Sequence, residues 1–193
     1  MNTKIKNDII PGTILEKKTM GNITGMVFLN KIFFITDGIM LSQIRKIAGI
    51  NGSTLQNWVK RGWLCKPINK RYSKDQLARI LIINMLRKNT PLERIDFLLR
   101  YINGNPNKTD DNIISESILY DYAARIIDKM AECSDGANLA VGSLKKNIIE
   151  CISDYTEPIT GAVKRLRKAL EIIVLSYYST LLTIYTEELF DNL

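Results

Sequence analysis

Residues 38 to 74 contain Arg45, Lys46, Lys60, Arg61, Lys66, Lys70, Arg71 and Lys74 and no Asp or Glu. These eight positive charges exceed the net +7 of the whole chain, so the other residues together are close to neutral. Cations gathered without carboxylates are the chemistry of polyanion binding, because basic side chains displace the counterions condensed on nucleic-acid phosphates. Among them lie Thr54, Gln56 and Asn57, and Asn or Gln can bond adenine in bidentate fashion as Arg bonds guanine. On a helix, Thr54, Asn57 and Arg61 share one outward stripe and Gln56 and Lys60 the next. The expectation is that Thr54, Asn57 and Arg61 face bases while Arg45, Lys46, Ser53, Gln56 and Lys60 hold phosphates. Lys66, Lys70 and Arg71, on a following loop, would reach adjacent phosphates or the minor groove. The plainer alternative is a solvated outer face. Trp58 and Trp63 could stack on unpaired bases, but Trp58 repeats with Leu55 at core spacing.

The surrounding pattern supplies the elements that would hold these side chains. Leu41, Ile44 and Ile47 predict a helix over Leu41–Ala48 with one buried face, and Gly49 suits a sharp turn. Ser53 is a suitable N-cap for a second helix to Arg61 in which Leu55, Trp58 and Val59 face inward, and Gly62 a suitable stop. Trp63 to Tyr72 is short and interrupted by Pro67, so it reads as a small wing. A capping box, Ser73 to Gln76, opens a third helix through Leu77, Ile80, Leu81, Ile83 and Met85. Thr90, Pro91 and Glu93 open a fourth that buries Ile95, Leu98, Leu99 and Ile102.

The rest of the chain is read around that unit. Residues 1–24 show no period and are expected to be a flexible arm, and Gly25–Thr36 a short helix. Residues 104–111, which open on Gly104, Asn105, Pro106 and Asn107, read as a linker between domains at 25–103 and 112–193. The second domain turns acidic through Asp110, Asp111, Glu116, Asp121, Asp128, Glu132 and Asp135. Helices are expected over 117–133 and 137–153, divided by Ser134, Asp135 and Gly136, and a last one from Pro158 to the C terminus, roughly 50 Å long. There Ile159, Val163, Leu166, Leu170, Ile173 and Tyr177 alternate by four and three, the spacing of a coiled-coil seam, until Thr180 and Glu187 break it. This predicts dimerisation through the last helix. The fold class is mainly α: a winged helix-turn-helix unit followed by a helical dimerisation or effector domain.

Composition excludes several classes. Cys65, Cys133 and Cys151 are odd in number and lack CxxC spacing, and the chain has no histidine. A disulfide framework, a metal site and a cofactor are therefore not expected. Phosphate-cradling and nucleophile-elbow motifs are absent, so no enzyme is predicted. The N-terminal stretch lacks the apolar core of a signal peptide, and Ala169–Tyr185 is interrupted by Glu171, Ser176, Ser179, Thr180 and Thr183. A reducing cytoplasm, with association to the nucleoid, is the expected location.

The order of helix, turn, helix, wing and two further helices resembles the DNA-binding domain of MerR regulators. Thr54-Leu55-Gln56-Asn57-Trp58 through Gly62-Trp63-Leu64, then Arg71-Tyr72 and Ser73 to Gln76, stand where that family has its second helix, wing end and third-helix start. Gln56 and Asn57 replace the Arg and Tyr usual there, and the wing is shorter. A closer resemblance is to the domain-of-unknown-function family DUF1836, mainly from Firmicutes and regarded as MerR-like. It rests on Leu41-Ser-Gln43, Gln56-Asn-Trp-Val-Lys-Arg-Gly-Trp63, Pro67-Ile-Asn-Lys-Arg-Tyr72, Ala78-Arg-Ile-Leu-Ile-Ile-Asn-Met-Leu86 and Tyr101-Ile-Asn-Gly104. The resemblance covers about residues 25 to 125 and implies a MerR-like fold and double-stranded DNA as partner, without naming a target or effector.

Three functions fit these observations. The first is a sequence-specific DNA-binding protein, a transcriptional regulator acting as a homodimer. The second is a protein–protein adaptor that keeps the helix-turn-helix shape without DNA. The third is a small-molecule sensor with its pocket in residues 112–193.

Overall fold

The computed structural model describes residues 8–108, 112–133 and 141–193. The chain is mainly helical, in the order α1 (Gly25–Ile32), β1 (Ile39–Met40), α2 (Leu41–Ala48), α3 (Gly52–Lys60), β2 (Arg71–Tyr72), α4 (Lys74–Leu86), α5 (Leu92–Asn103), α6 (Glu116–Cys133), α7 (Val141–Cys151) and α8 (Ala162–Asp191). A 3-10 turn, Lys18–Met20, precedes α1.

The segment Leu77–Ile83, apolar all round except for Arg79, is buried on every side, which is the pattern of a central helix. It starts as its sequence predicts. The Ser73 hydroxyl accepts from Gln76 N at 3.2 Å while Gln76 Oε1 accepts from Ser73 N at 2.9 Å. Around α4 pack α2, α5, α6 and α8, and α6 also packs against α1, α7 and α8. One continuous apolar core therefore runs from Ile10 through Leu55, Leu77 and Leu119 to Leu170. The proposed boundary at 104–111 does not divide it, because α6 crosses back onto α4 and α1.

The first described residues are fastened down. Ile9 bridges Glu16, Ile10 is fully buried, the Tyr120 hydroxyl donates to Pro11 O at 2.8 Å, and Lys17 Nζ lies 2.6 Å from Asp128. Residues 8–24 are thus not the flexible arm expected, and their partners lie more than a hundred positions away, where no local pattern could show them. Gly12 is required in this turn: its φ is +77°, and a Cβ would stand 2.3 Å from Leu81 O.

Several boundaries shift. α3 begins at Gly52 with Asn51 in the extended cap position, so Ser53 sits inside the first turn and caps nothing. Pro91 is the cap residue of α5, not its first helical residue. α8 begins at Ala162, after Gly161 turns the chain at φ +87°, and Glu157 accepts from Val163 N at 3.0 Å. The described part of α7 runs Val141–Cys151, and the start expected at 137 lies outside the described residues. Residues 1–7, 109–111 and 134–140, which include the end of the linker and the divider at 134–136, lie outside the described residues.

The seam of the last helix is used differently from the expectation. Leu166, Leu170 and Ile173 are fully buried and Tyr177 is 5% exposed, all within the chain's own core. Val163 is half-buried and Ile159, ahead of the helix, is exposed. A four-and-three stripe buries equally well against α4, α6 and α7 as against a second copy, and here the protomer itself covers it. By length and composition α8 could also cross a membrane, with mean hydropathy 1.3 in its most apolar window. Its inner side is nevertheless part of the core.

Candidate nucleic-acid interface

α2 and α3 are set by their apolar faces: Ile44, Ile47, Leu55 and Trp58 are buried. Between them Gly49 takes φ +66°, and a Cβ there would meet Ile14 Cγ2 at 2.5 Å, so the turn closes directly over the N-terminal segment. Ile14 N donates to Ile47 O at 2.9 Å, and Asn84 Nδ2 donates to Ala48 O at 2.8 Å and Gly12 O at 2.9 Å. The helix pair is thus fixed from beneath.

Its other side is open. Arg45, Lys46, Ser53, Gln56, Asn57 and Lys60 are exposed, and Thr54 is half-buried. Among the described residues, the side chains of these seven make no hydrogen bond or ion pair within the chain. Neither α6, α7 nor α8 covers them. Arg61 is placed otherwise: it is the C-cap residue of α3, its guanidinium lies 3.6 Å from Glu93 and 5.1 Å from the Trp63 ring centre, and its side chain is 54% exposed. Glu93 thus brings a carboxylate to the edge of a surface whose own sequence has none. Arg61 is not aligned with Thr54 and Asn57 as a free member of one stripe.

The loop after α3 is held at several points. Ile39 pairs with Tyr72 and Met40 with Arg71 in an antiparallel two-stranded ladder. Ile68 and Arg71 exchange backbone hydrogen bonds of 3.0 and 2.8 Å across Asn69 and Lys70, whose φ values of +49° and +61° suit a tight hairpin turn. Lys70 is therefore at the tip, and Lys66 is exposed beside it. Arg71 is exposed, but its Nη1 donates to Gly38 O at 2.9 Å, which gives it a local structural task. Gln76 Nε2 donates to the carbonyls of Cys65 and Lys66, each at 3.1 Å. Inside the loop Trp63 and Tyr72 are buried, and burial pushes the Tyr72 phenol and the Cys65 thiol up from their ordinary values.

Arg79 escaped the sequence reading. It is 3% exposed, donates from Nε to Trp63 O at 2.6 Å, and pairs through Nη1 with Glu116 at 2.5 Å and through Nη2 with Asp96 at 3.4 Å. Arg100 closes the network on Asp96 at 2.6 Å and on Gly62 O at 3.0 Å. The end of α3 and the loop that follows are thus pinned to α4, α5 and α6. The signal was present: a lone Arg within Leu77-Ala78-Arg79-Ile80-Leu81 has to be paired inside if that helix is buried.

These features define a mainly helical protein with an open, basic side on α2 and α3. The chain belongs to the family described as Domain of unknown function (DUF1836), which it matches over residues 5–123. The match includes the fastened N-terminal segment and the first part of α6, in keeping with a core that spans both. No curated protein and no solved structure matches the chain.

Proposed function

We propose that the chain is a sequence-specific duplex-DNA-binding protein that acts in transcriptional regulation, with α2, α3 and the 63–72 loop working as a MerR-like winged helix-turn-helix. The observation that carries this reading is that the outward side chains of Arg45, Lys46, Ser53, Thr54, Gln56, Asn57 and Lys60, rich in cations and amides, have no partner among the described residues. Asn57 and Thr54 then face bases, with Gln56 beside them, and Arg45, Lys46, Lys60, Lys66 and Lys70 neutralise phosphates. Arg61 must leave Glu93 to reach a base, so its contribution is smaller than that of an unpaired Arg. Electrophoretic shift of duplexes from upstream of its own gene tests this. Specific complexes should form at moderate salt, and the affinity should fall with a log–log slope of about −0.9 for each phosphate neutralised. Shifts that appear only at low salt and ignore sequence would reject it.

A homodimer remains part of the proposal, on a different side of α8. Ile172, Leu175, Leu182 and Leu189 are 39, 38, 46 and 52% exposed. They follow one another by three and seven residues with Ser179 and Thr186 between, the spacing of an outward seam.

A further inference from the structure

We propose that the tip of the 68–71 hairpin is a minor-groove wedge, in which Ile68 presses between two base pairs of the bound duplex while Lys66 and Lys70 hold phosphates beside it. The inference rests on the reading of the chain as a duplex-DNA-binding protein and adds to it a residue, a groove and a base step. Directly opposed residues of paired strands share a face of the sheet. Arg71 therefore lies between Met40, its partner in the ladder, and Ile68, its partner in the bridge. The neighbouring pair, Ile39 and Tyr72, turns inward and is buried. Met40, Arg71 and Ile68 thus form one outward row that runs from the cap of α2 to the hairpin tip. Met40 is 50% exposed at one end of the row and Ile68 78% at the other.

A single exposed isoleucine is ordinary on a protein surface. Two features set this one apart. The first is its support. The backbone bonds between Ile68 and Arg71, the ladder to β1 and the bonds from Gln76 to the Cys65 and Lys66 carbonyls fix the hairpin from both sides. An apolar side chain on a fixed support enters a groove at little ordering cost. The second is Lys70. With φ positive at both Asn69 and Lys70, the turn is of the kind whose second position is commonly glycine, the residue that takes it without strain. A lysine there costs the fold and returns nothing to it, since its side chain makes no hydrogen bond or ion pair among the described residues. Backbone strain of this sort collects where a side chain is put to use.

The chemistry of the tip selects the groove. Lys66 stands two residues before Ile68 and Lys70 two after it, with Arg71 opposite. Asp37 and Asp75 lie nearby, but Asp75 is already bonded to Ser117 N, so the tip keeps a positive balance. Apolar side chains flanked by cations are what minor-groove-binding proteins insert between base steps. Unstacking is easiest at pyrimidine–purine steps. The hairpin therefore adds a preference for such a step beside the bases that α3 reads, without a hydrogen bond to either base.

Duplexes are selected from a random pool by the full-length chain, and 2-aminopurine is then placed at the pyrimidine–purine step beside the enriched motif. Binding of the wild type should raise the 2-aminopurine fluorescence, the signature of an unstacked base. Ile68→Ala should keep the motif and the urea midpoint, lose most of that rise and bind roughly tenfold more weakly. Ile68→Phe, a second bulky wedge, should restore the rise. Lys70→Gly should move the urea midpoint upward, because the strained residue is gone, and yet bind more weakly, with a salt slope smaller by about 1. No preferred step beside the motif, an equal rise with wild type and Ile68→Ala, or wild-type affinity in Lys70→Gly would overturn the wedge and leave the duplex-binding reading standing. Failure to enrich any motif would overturn both.

Discussion

α3 and α4 lie close in the chain and use their polar residues in opposite ways. In α4 every polar side chain has a partner: Lys74 donates to Asn30 Oδ1 at 2.7 Å, Asp75 accepts from Ser117 N at 2.9 Å, and Gln76 caps the helix. Arg79 is locked between Asp96 and Glu116, and Asn84 holds two carbonyls. In α3 the side chains of Ser53, Thr54, Gln56, Asn57 and Lys60 have none among the described residues. A charge in α4 is a structural fastener, and a charge in α3 is surplus to the fold. The lesson is that local sequence reports which helix face is polar, whereas only the packed structure reports which polar groups remain unspent.

The contrast can be broken at its strongest point. Arg79→Met leaves Asp96 and Glu116 short of a buried partner and should lower stability by about 3 to 5 kcal/mol in urea unfolding. A loss under about 1 kcal/mol would mean that α4's polar residues are no more committed than those of α3. The two sides of α8 sharpen it next. Leu170→Ala opens a cavity in the core and should cost about 2 to 5 kcal/mol. Leu182→Ser should stay within about 0.5 kcal/mol for the monomer and instead weaken self-association in analytical ultracentrifugation. On the open side, Asn57→Ala should leave unfolding within about 0.5 kcal/mol of wild type. It should cost about 1 to 3 kcal/mol in binding to a preferred duplex and relax one base position. Smallest is Lys60→Ala, which should weaken all duplexes alike and reduce the salt slope by about 1, measured by fluorescence anisotropy.

Much of this arrangement was legible in the chain. The capping box at Ser73 and Gln76, the Gly49 turn and the limits of α2 follow from local rules, and the structure has them in place. What was hidden depends on distant partners. The ordering of residues 8–24 comes from Asp128 and Tyr120, and the restraint on Arg61 comes from Glu93 on another helix. The α8 seam was misread for a physical reason: four-and-three spacing specifies a buried helix face without saying whose surface buries it.

Selection of bound duplexes from a random pool by the full-length chain, repeated with Asn57→Ala, tests most directly whether the open side of α2 and α3 reads DNA. Wild type should enrich a defined motif at moderate salt, and the variant, equally stable, should lose preference at one position within it. No enrichment, or the same motif from both proteins, would contradict that reading.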